Sequence, residues 1–152
     1  MSKIKLERWK SYDFILNYTD EFGKQQRVVW LGAKGDKPTV VEVEEKIFEY
    51  LAHYTKTFES GELRVADAQE NKKEVVEQIL DTEAYENNAK TKTEIIDLLK
   101  KSNNKKLETE LNKITDRSAK QFTYSVFEEI KSDLVGSKIE IVNKWFGVSD
   151  EE

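Results

Sequence analysis

The fold is decided by a twenty-residue stretch that reads YDFILNYTDEFGKQQRVVWL, residues 12–31. Aromatic and β-branched residues dominate both ends of this stretch, with apolar side chains at every second position, as in a half-buried β-strand. Between the two ends, residues 20–24 are turn formers, and Gly23 among them tolerates a positive φ. The stretch therefore predicts a β-hairpin, and the side chains predicted to share its inner face are Phe14, Leu16, Tyr18, Val28 and Trp30.

The hairpin is followed by the clearest loop in the chain, residues 32–39, which contains two of the six glycines and the only proline. Thr39 and Glu42 fit a capping box at the start of a helix. Beyond them, apolar residues recur at helical spacing and predict one amphipathic face. These residues are Val43, Ile47, Phe48, Leu51 and Tyr54.

Two further segments complete an N-terminal module, which we assign to residues 1–66. Residues 4–10 fit either a strand or one helical turn. Residues 57–66 alternate Leu63 and Val65 with charged residues, a pattern that predicts a third strand or a hairpin edge. We therefore expect a small antiparallel sheet with one helix packed on one of its faces.

Residues 67–88 differ in kind from the module before them. They carry seven acids against two lysines, so the segment has a net charge of −5. One narrow apolar stripe runs through it, formed by Val75, Val76, Ile79 and Leu80. This pattern predicts a solvated, acidic connecting helix.

Residues 89–148 contain four short segments with helical apolar spacing, separated by polar turns. Thr91 or Thr93 is placed to cap the first of them. Because each apolar face needs another to cover it, the four predict a small helical bundle. Residues 149–152 form an acidic tail. The predicted class is thus α+β: a small N-terminal antiparallel sheet with one packed helix, then a connecting helix and a C-terminal bundle of short helices.

The composition excludes several chemistries. Among 152 residues there is no cysteine and a single histidine, His53, so thiol nucleophiles and zinc or haem sites of the usual kind are excluded. The spacings of calcium loops, phosphate loops and serine-nucleophile elbows are absent as well. We therefore interpret the chain as a non-enzyme that uses no metal and no cofactor. Its net charge of −5 has the wrong sign for a general nucleic-acid binder.

The first residues lack the apolar run of a signal peptide. No apolar stretch approaches the roughly 20 residues that span a bilayer. The expected location is the cytoplasm, and no membrane partner is expected.

Two sets of residues are candidates for contact with a partner. Lys100, Lys101, Lys105 and Lys106 surround the turn between the first two C-terminal helices, in a half whose twelve bases and nine acids give +3. Such lysines are suited to salt-dependent contacts with phosphates, although lysines at the end of a helix are also favourable without any ligand.

The second candidate set lies in the N-terminal module. Loops carry binding residues more often than regular elements do, and aromatic side chains are enriched at interface hot spots. The residues concerned are Gly32, Lys34, Gly35 and Lys37 in the loop, together with the aromatic Trp9 and Phe22. The alternative is that the loop is a plain connector and that the aromatic residues belong to the core.

Several segments resemble small uncharacterised proteins encoded by tailed phages and prophages of Gram-positive bacteria. The resemblance rests on residues 29–35, 42–51, 57–63, 111–116 and 137–139, which read VWLGAKG, EVEEKIFEYL, TFESGEL, LNKITD and SKI. It implies a role in the virion, in assembly or in host interaction, in the cytoplasm of the host or within the particle. It carries over no catalytic residue.

The leading hypothesis is a non-enzymatic structural or assembly protein of a tailed bacteriophage that acts through protein–protein contacts, with itself or with other virion proteins. Since each half alone would be marginally stable, association would supply additional burial. One alternative is a nucleic-acid-associated or regulatory protein that uses the four lysines. Another is an inhibitor of a host enzyme, for which residues 32–39 would be the contact loop.

Overall fold

The computed structural model describes residues 3–147 and confirms the α+β class. Its N-terminal elements are β1 (Lys3–Arg8), β2 (Phe14–Thr19), β3 (Gln25–Trp30), β4 (Thr39–Glu44), α1 (Glu45–Tyr54) and β5 (Arg64–Val65). The strands form two sheets, one with the order β4-β1-β5 and one made of β2 and β3 alone. All of the pairings are antiparallel. Residues 149–152, predicted as an acidic tail, lie outside the described residues.

The predicted hairpin is confirmed as β2 and β3, which pair in a register that sets Phe14 opposite Trp30. Leu16 and Trp30 are buried, and the other predicted inner residues pack against the same core. The Trp30 indole donates a hydrogen bond of 3.1 Å to the Leu6 carbonyl, which ties the hairpin to β1. Gly23 has a φ of 79°, as its place in the turn predicts.

The capping box predicted at Thr39 and Glu42 is wrong, because both residues belong to β4. Helix α1 begins at Glu45, and its N-cap residue Glu44 makes no side-chain capping bond. The physical reason is that four of the five residues from Thr39 to Val43 are β-branched, and this segment pairs with β1 along its whole length. Val43 is therefore a core residue of a strand and not of the helix.

Helix α1 buries Ile47, Phe48 and Leu51 as predicted, but the prediction for Tyr54 is wrong. Tyr54 is 80% exposed. It is the last residue of the helix, and its ring stacks on Tyr50 at a centroid distance of 6.1 Å instead of entering the core.

Residues 67–88 do not form the single solvated helix expected there. They form two short helices, α2 (Lys72–Glu77) and α3 (Thr82–Asn88). The break has a local cause, because the Asp81 side chain accepts a hydrogen bond of 3.0 Å from the Ala84 amide and starts a new helix. Val75, Ile79 and Tyr85 are buried in the N-terminal core, so this acidic segment covers the first module, whereas Leu80 is exposed.

The C-terminal half contains α4 (Lys92–Lys101), α5 (Asn104–Asn112), α6 (Arg117–Ile130), a 3-10 turn (Lys131–Asp133) and α7 (Gly136–Phe146). Thr91 and Glu94 form a capping box at the start of α4, which settles the choice between Thr91 and Thr93. A second core lies among these helices, and its buried members come from α4 to α7. The molecule thus has two separate hydrophobic cores.

Candidate protein interface

The β2–β3 hairpin has apolar residues on both of its faces. Its inner face is the one described above. On the outer face, Ile15 lies opposite Val29 in the register, and strand alternation places Leu31 on the same side. Ile15 is 46% exposed, Leu31 is 61% exposed and Val29 is half-buried. We call Ile15, Val29 and Leu31 the hairpin face.

The turn of the hairpin presents an aromatic side chain. One carboxylate oxygen of Asp20 accepts hydrogen bonds of 2.9 Å from the backbone amides of Phe22 and Lys24. The Asp20 carbonyl also accepts a bond of 3.0 Å from the Gly23 amide. These bonds fix the turn, and Phe22 is 87% exposed on it.

The predicted contact loop is fastened to the structure at its start and at its middle. The Gly32 amide donates a bond of 2.7 Å to the Asp13 carboxylate, and the Ala33 amide donates one of 2.9 Å to the Lys10 carbonyl. Asp36 accepts a bond of 2.6 Å from Lys92 of α4. Lys34, Gly35 and Lys37 form the exposed outer part of the loop, and Gly32 is half-buried.

Trp9 lies apart from Phe22. It is half-buried, and its indole donates a bond of 2.8 Å to the Glu7 carboxylate. With Gly35 and Phe122 it lines an open depression of about 350 Å³ between the loop and α6. The predicted contact residues are therefore not brought together: Phe22 lies at the hairpin turn, Trp9 and Gly35 line this depression, and the others lie elsewhere in the loop.

The four lysines predicted to contact phosphate are all exposed, but two of them face acids. Lys100 Nζ lies 3.8 Å from an Asp133 oxygen, and Lys101 Nζ lies 3.4 Å from an Asp97 oxygen. Lys101 and Lys106 share an open groove whose charged lining residues are Lys90, Glu94, Asp97, Lys101, Lys106 and Glu110. Three lysines and three carboxylates cancel there, which disfavours a phosphate as ligand.

A network of buried charges joins the two halves of the molecule. Arg8 is fully buried on β1, and its Nη1 donates to the Glu62 carboxylate at 2.8 Å and to the Glu62 carbonyl at 2.7 Å. Its Nε donates to the Tyr12 carbonyl at 3.0 Å. Lys10, which is 3% exposed, lies 3.3 Å from the same carboxylate and donates to the hydroxyl of Ser118 on α6.

Asn88 is another link between the halves. Its side-chain nitrogen donates a bond of 2.8 Å to the Glu59 carbonyl, and its oxygen accepts bonds from the amides of Thr115 and Asp116, at 3.0 and 3.2 Å. We call the contacts of Arg8, Lys10, Glu62, Asn88 and Ser118 the polar joint.

The sequence interpretation did not single out any residue of the polar joint. One signal for Arg8 was present, because Ile4, Leu6 and Arg8 occupy alternate positions and share a face once β1 is a strand. Lys10 and Glu62 gave no comparable signal, since their partners lie far away in the sequence.

Burial and charge act in opposite directions on the two ends of this ion pair. Burial alone would raise the pKa of Glu62, but the hydrogen bond from Arg8 and the positive charges of Lys10 and Arg8 outweigh it and lower that pKa. Burial lowers the pKa of Lys10, and Glu62 and Asp116 offset this only in part. Both pKa values are thus lowered, that of Glu62 because it faces two cations and that of Lys10 because it is deeply buried.

Replacing Glu62 by glutamine is expected to reduce the loss of unfolding free energy that the wild type shows as the pH falls. A carboxylate with a lowered folded-state pKa contributes stability that is fully present above its ordinary pKa of 4.5 and is lost as the pH falls through the folded-state value. Urea unfolding between about pH 3 and about pH 7 measures this. The exposed Glu21→Gln serves as the control and should keep the wild-type profile. If the unfolding free energies of E62Q and the wild type fell by the same amount between these pH values, the lowered pKa of Glu62 would be contradicted.

Two classes of site are absent from the part of the chain that the structure describes. Within residues 3–147, no group of three or more His, Asp or Glu side chains is arranged to hold a metal ion. His53 has its Nε2 3.2 Å from the Gln78 carbonyl oxygen. Across the same residues, no helix combines the length and the apolar character needed to cross a membrane.

Comparison with known families divides the chain in two. The family model described as the YonA N-terminal domain matches residues 2–81, and the one described as the YonA C-terminal domain matches residues 91–152. No curated protein and no solved structure matches the chain. The first match ends at Asp81, the N-cap of α3, and the second begins at Thr91, the N-cap of α4. Since the first model alone covers more than half of the residues, the chain belongs to the YonA family, with the N-terminal and C-terminal YonA domains in succession.

Proposed function

We propose that the protein is a non-enzymatic structural or assembly protein of a tailed bacteriophage and that it acts through protein–protein contacts. The matches to the YonA domains are in keeping with a phage-associated protein, as is the resemblance of its segments to phage and prophage proteins. In this proposal the chain works in the cytoplasm of the host during assembly and enters the particle.

The observation that carries the proposal is the hairpin face. An antiparallel sheet with one free side normally exposes polar residues there. Here Ile15 and Leu31 remain exposed on the outer side of a hairpin whose inner side is already packed. Exposed apolar residues that adjoin one another are a mark of protein interaction sites. The partner that fits this face is another assembly protein with an apolar surface.

The direct test is mass spectrometry of purified phage particles and of their assembly intermediates. We expect the chain in one or both at a fixed stoichiometry. Its absence from both, in cells that express it, would contradict the proposal.

The double variant Ile15→Lys/Leu31→Lys tests the face itself. Because each side chain contributes about 1.5–3 kcal/mol when it is buried, incorporation into particles or intermediates should fall at least about tenfold. The matched control is Leu80→Lys/Val135→Lys, which adds the same charges at two other exposed apolar positions. Both variants should keep the circular-dichroism spectrum of the wild type, and equal losses in the two would count against the hairpin face.

A further inference from the structure

The turn of the hairpin presents Phe22 in a fixed, solvent-exposed position. Turn positions of this kind are usually filled by Gly, Asn, Asp or Ser, whereas this one holds a phenyl ring. The hydrogen bonds from the Phe22 and Lys24 amides to Asp20 hold the turn in place before any partner arrives. Such preorganisation reduces the entropy that is lost on binding. Asp20 and Glu21 also give the preceding half of the turn two negative charges.

A cavity with an apolar lining and a positive rim lies in the other half of the molecule. It is open, has a volume of about 340 Å³ and is formed where α5, α6 and α7 meet. Its apolar lining consists of Ile114, Ile141 and Trp145, and its charged and polar lining consists of Glu108, Asn112, Lys120 and Lys144. We call it the helical pocket. Two lysines against one carboxylate give the pocket a positive rim.

We propose that Phe22 of one copy of this chain inserts into the helical pocket of a second copy. The volume is sufficient for a phenyl ring, which would meet the Trp145 indole and two isoleucine side chains. Aromatic pairs of this kind are favourable beyond the area that they bury. Asp20 and Glu21, which precede Phe22, would face Lys120 and Lys144, so the charges on this side of the turn and those of the rim are complementary, whereas Lys24 follows Phe22. This inference rests on the proposed function, since it names one of the partners as the protein itself.

The contact has a definite consequence for the form of the assembly. The turn and the pocket are different surfaces, so each copy offers one of each, and the contact is completed either reciprocally in a two-fold dimer or head to tail in a larger ring or a chain. A single inserted side chain makes a small interface, and small interfaces are weak and transient. Association should therefore require the high local concentration of an assembly site.

Sedimentation equilibrium of the full chain, from about 10 μM to about 1 mM, measures this. We expect the average mass of the wild type to rise with concentration and to reach at least that of a dimer. Phe22→Ser should weaken association at least tenfold. The control Tyr54→Ser removes another exposed aromatic side chain and should associate as the wild type does.

A mixing experiment distinguishes this contact from other modes of association. Lys144→Glu places a negative charge in the pocket against Glu21, so this variant and F22S should each be monomeric. F22S retains the pocket and K144E retains Phe22, so a mixture of the two should form a one-to-one dimer and stop there. The double variant Glu21→Lys/Lys144→Glu should regain association.

Several outcomes would overturn the inference. They are a monomeric wild type at every concentration, an F22S variant that associates as the wild type does, and a mixture that stays monomeric. If a chain shortened to end at Gly147 associates and the full chain does not, the full chain fills its pocket with its own last residues. This outcome also overturns the inference. A monomeric chain that is nevertheless found in phage particles would leave the proposed function standing without this contact.

Discussion

Replacing Arg8 by alanine is expected to lower the free energy of unfolding by about 3–5 kcal/mol, a large part of the roughly 5–15 kcal/mol that holds a domain together. Three hydrogen bonds are lost, to the Tyr12 carbonyl, the Glu62 carbonyl and the Glu62 carboxylate. The guanidinium group also lies over the Tyr12 ring, 4.4 Å from its centroid. Because Arg8 is fully buried, its removal leaves a cavity and deprives the partly buried Tyr12 and Glu62 carbonyl groups of their partner. Urea unfolding at neutral pH, followed by circular dichroism, measures the change.

The matched control for Arg8 is Arg27→Ala. Arg27 is exposed on β3, so its removal should change the free energy of unfolding by no more than about 0.5 kcal/mol. Arg8→Lys should recover only part of the loss, since an ammonium group cannot reproduce the planar fork of a guanidinium group. A loss below about 1 kcal/mol for R8A would show that the buried ion pair is dispensable.

The hairpin was predictable because its signals are local. The alternation of apolar residues in β2 and β3 and the glycine in the turn lie within one short stretch, and the structure reproduces both. Strand β4 was missed for the opposite reason. The pattern of Thr39 and Glu42 matches a capping box, and only the partner strand β1, far earlier in the chain, decides that the segment is extended.

The candidate contact residues show the same division between local and distant signals. Phe22 could be identified as a contact candidate because it is an aromatic residue in a predicted turn, and aromatic residues are enriched at interface hot spots. Of the acids that accompany the lysines of the α4–α5 turn, Asp97 lies only four residues before Lys101, whereas Asp133 comes from a distant part of the chain. The residues that meet in the polar joint are still further apart in the sequence, since 108 positions separate Lys10 from Ser118. Pairings of this range follow from the tertiary fold and leave no pattern in the sequence.

The polar joint also bears on function. The two halves have separate cores, and the contacts of the joint that cross between them are hydrogen bonds, from Lys10 to Ser118 and from the Thr115 and Asp116 amides to Asn88. Interfaces of this polar kind between domains permit relative motion unless specific bonds hold them. The hairpin turn belongs to one half and the helical pocket to the other, so the joint sets the angle between successive copies in the assembly that we propose.

Replacing Gly61 by alanine is expected to destabilise the protein by about 3 kcal/mol or more, since two independent effects add. Gly61 has a φ of 77°, which alanine adopts only with strain. A Cβ atom at this position would also lie 2.1 Å from the Asn88 carbonyl oxygen, so the backbone there must move. Since Asn88 holds the amides of Thr115 and Asp116, the displacement should loosen the polar joint as well. Urea unfolding gives the magnitude, and amide hydrogen exchange at these two residues reports the joint.

Gly23 provides a control that separates the two effects. Its φ of 79° is nearly that of Gly61, but no atom lies within 4 Å of the position that its Cβ would take. Gly23→Ala should therefore show the cost of the left-handed conformation alone, about 1–2 kcal/mol. The excess loss in G61A then measures the clash with Asn88, and exchange at Thr115 and Asp116 should rise in G61A but not in G23A. Equal losses in the two variants, with unchanged exchange, would mean that the chain at Asn88 yields freely and that Asn88 does not hold the halves together.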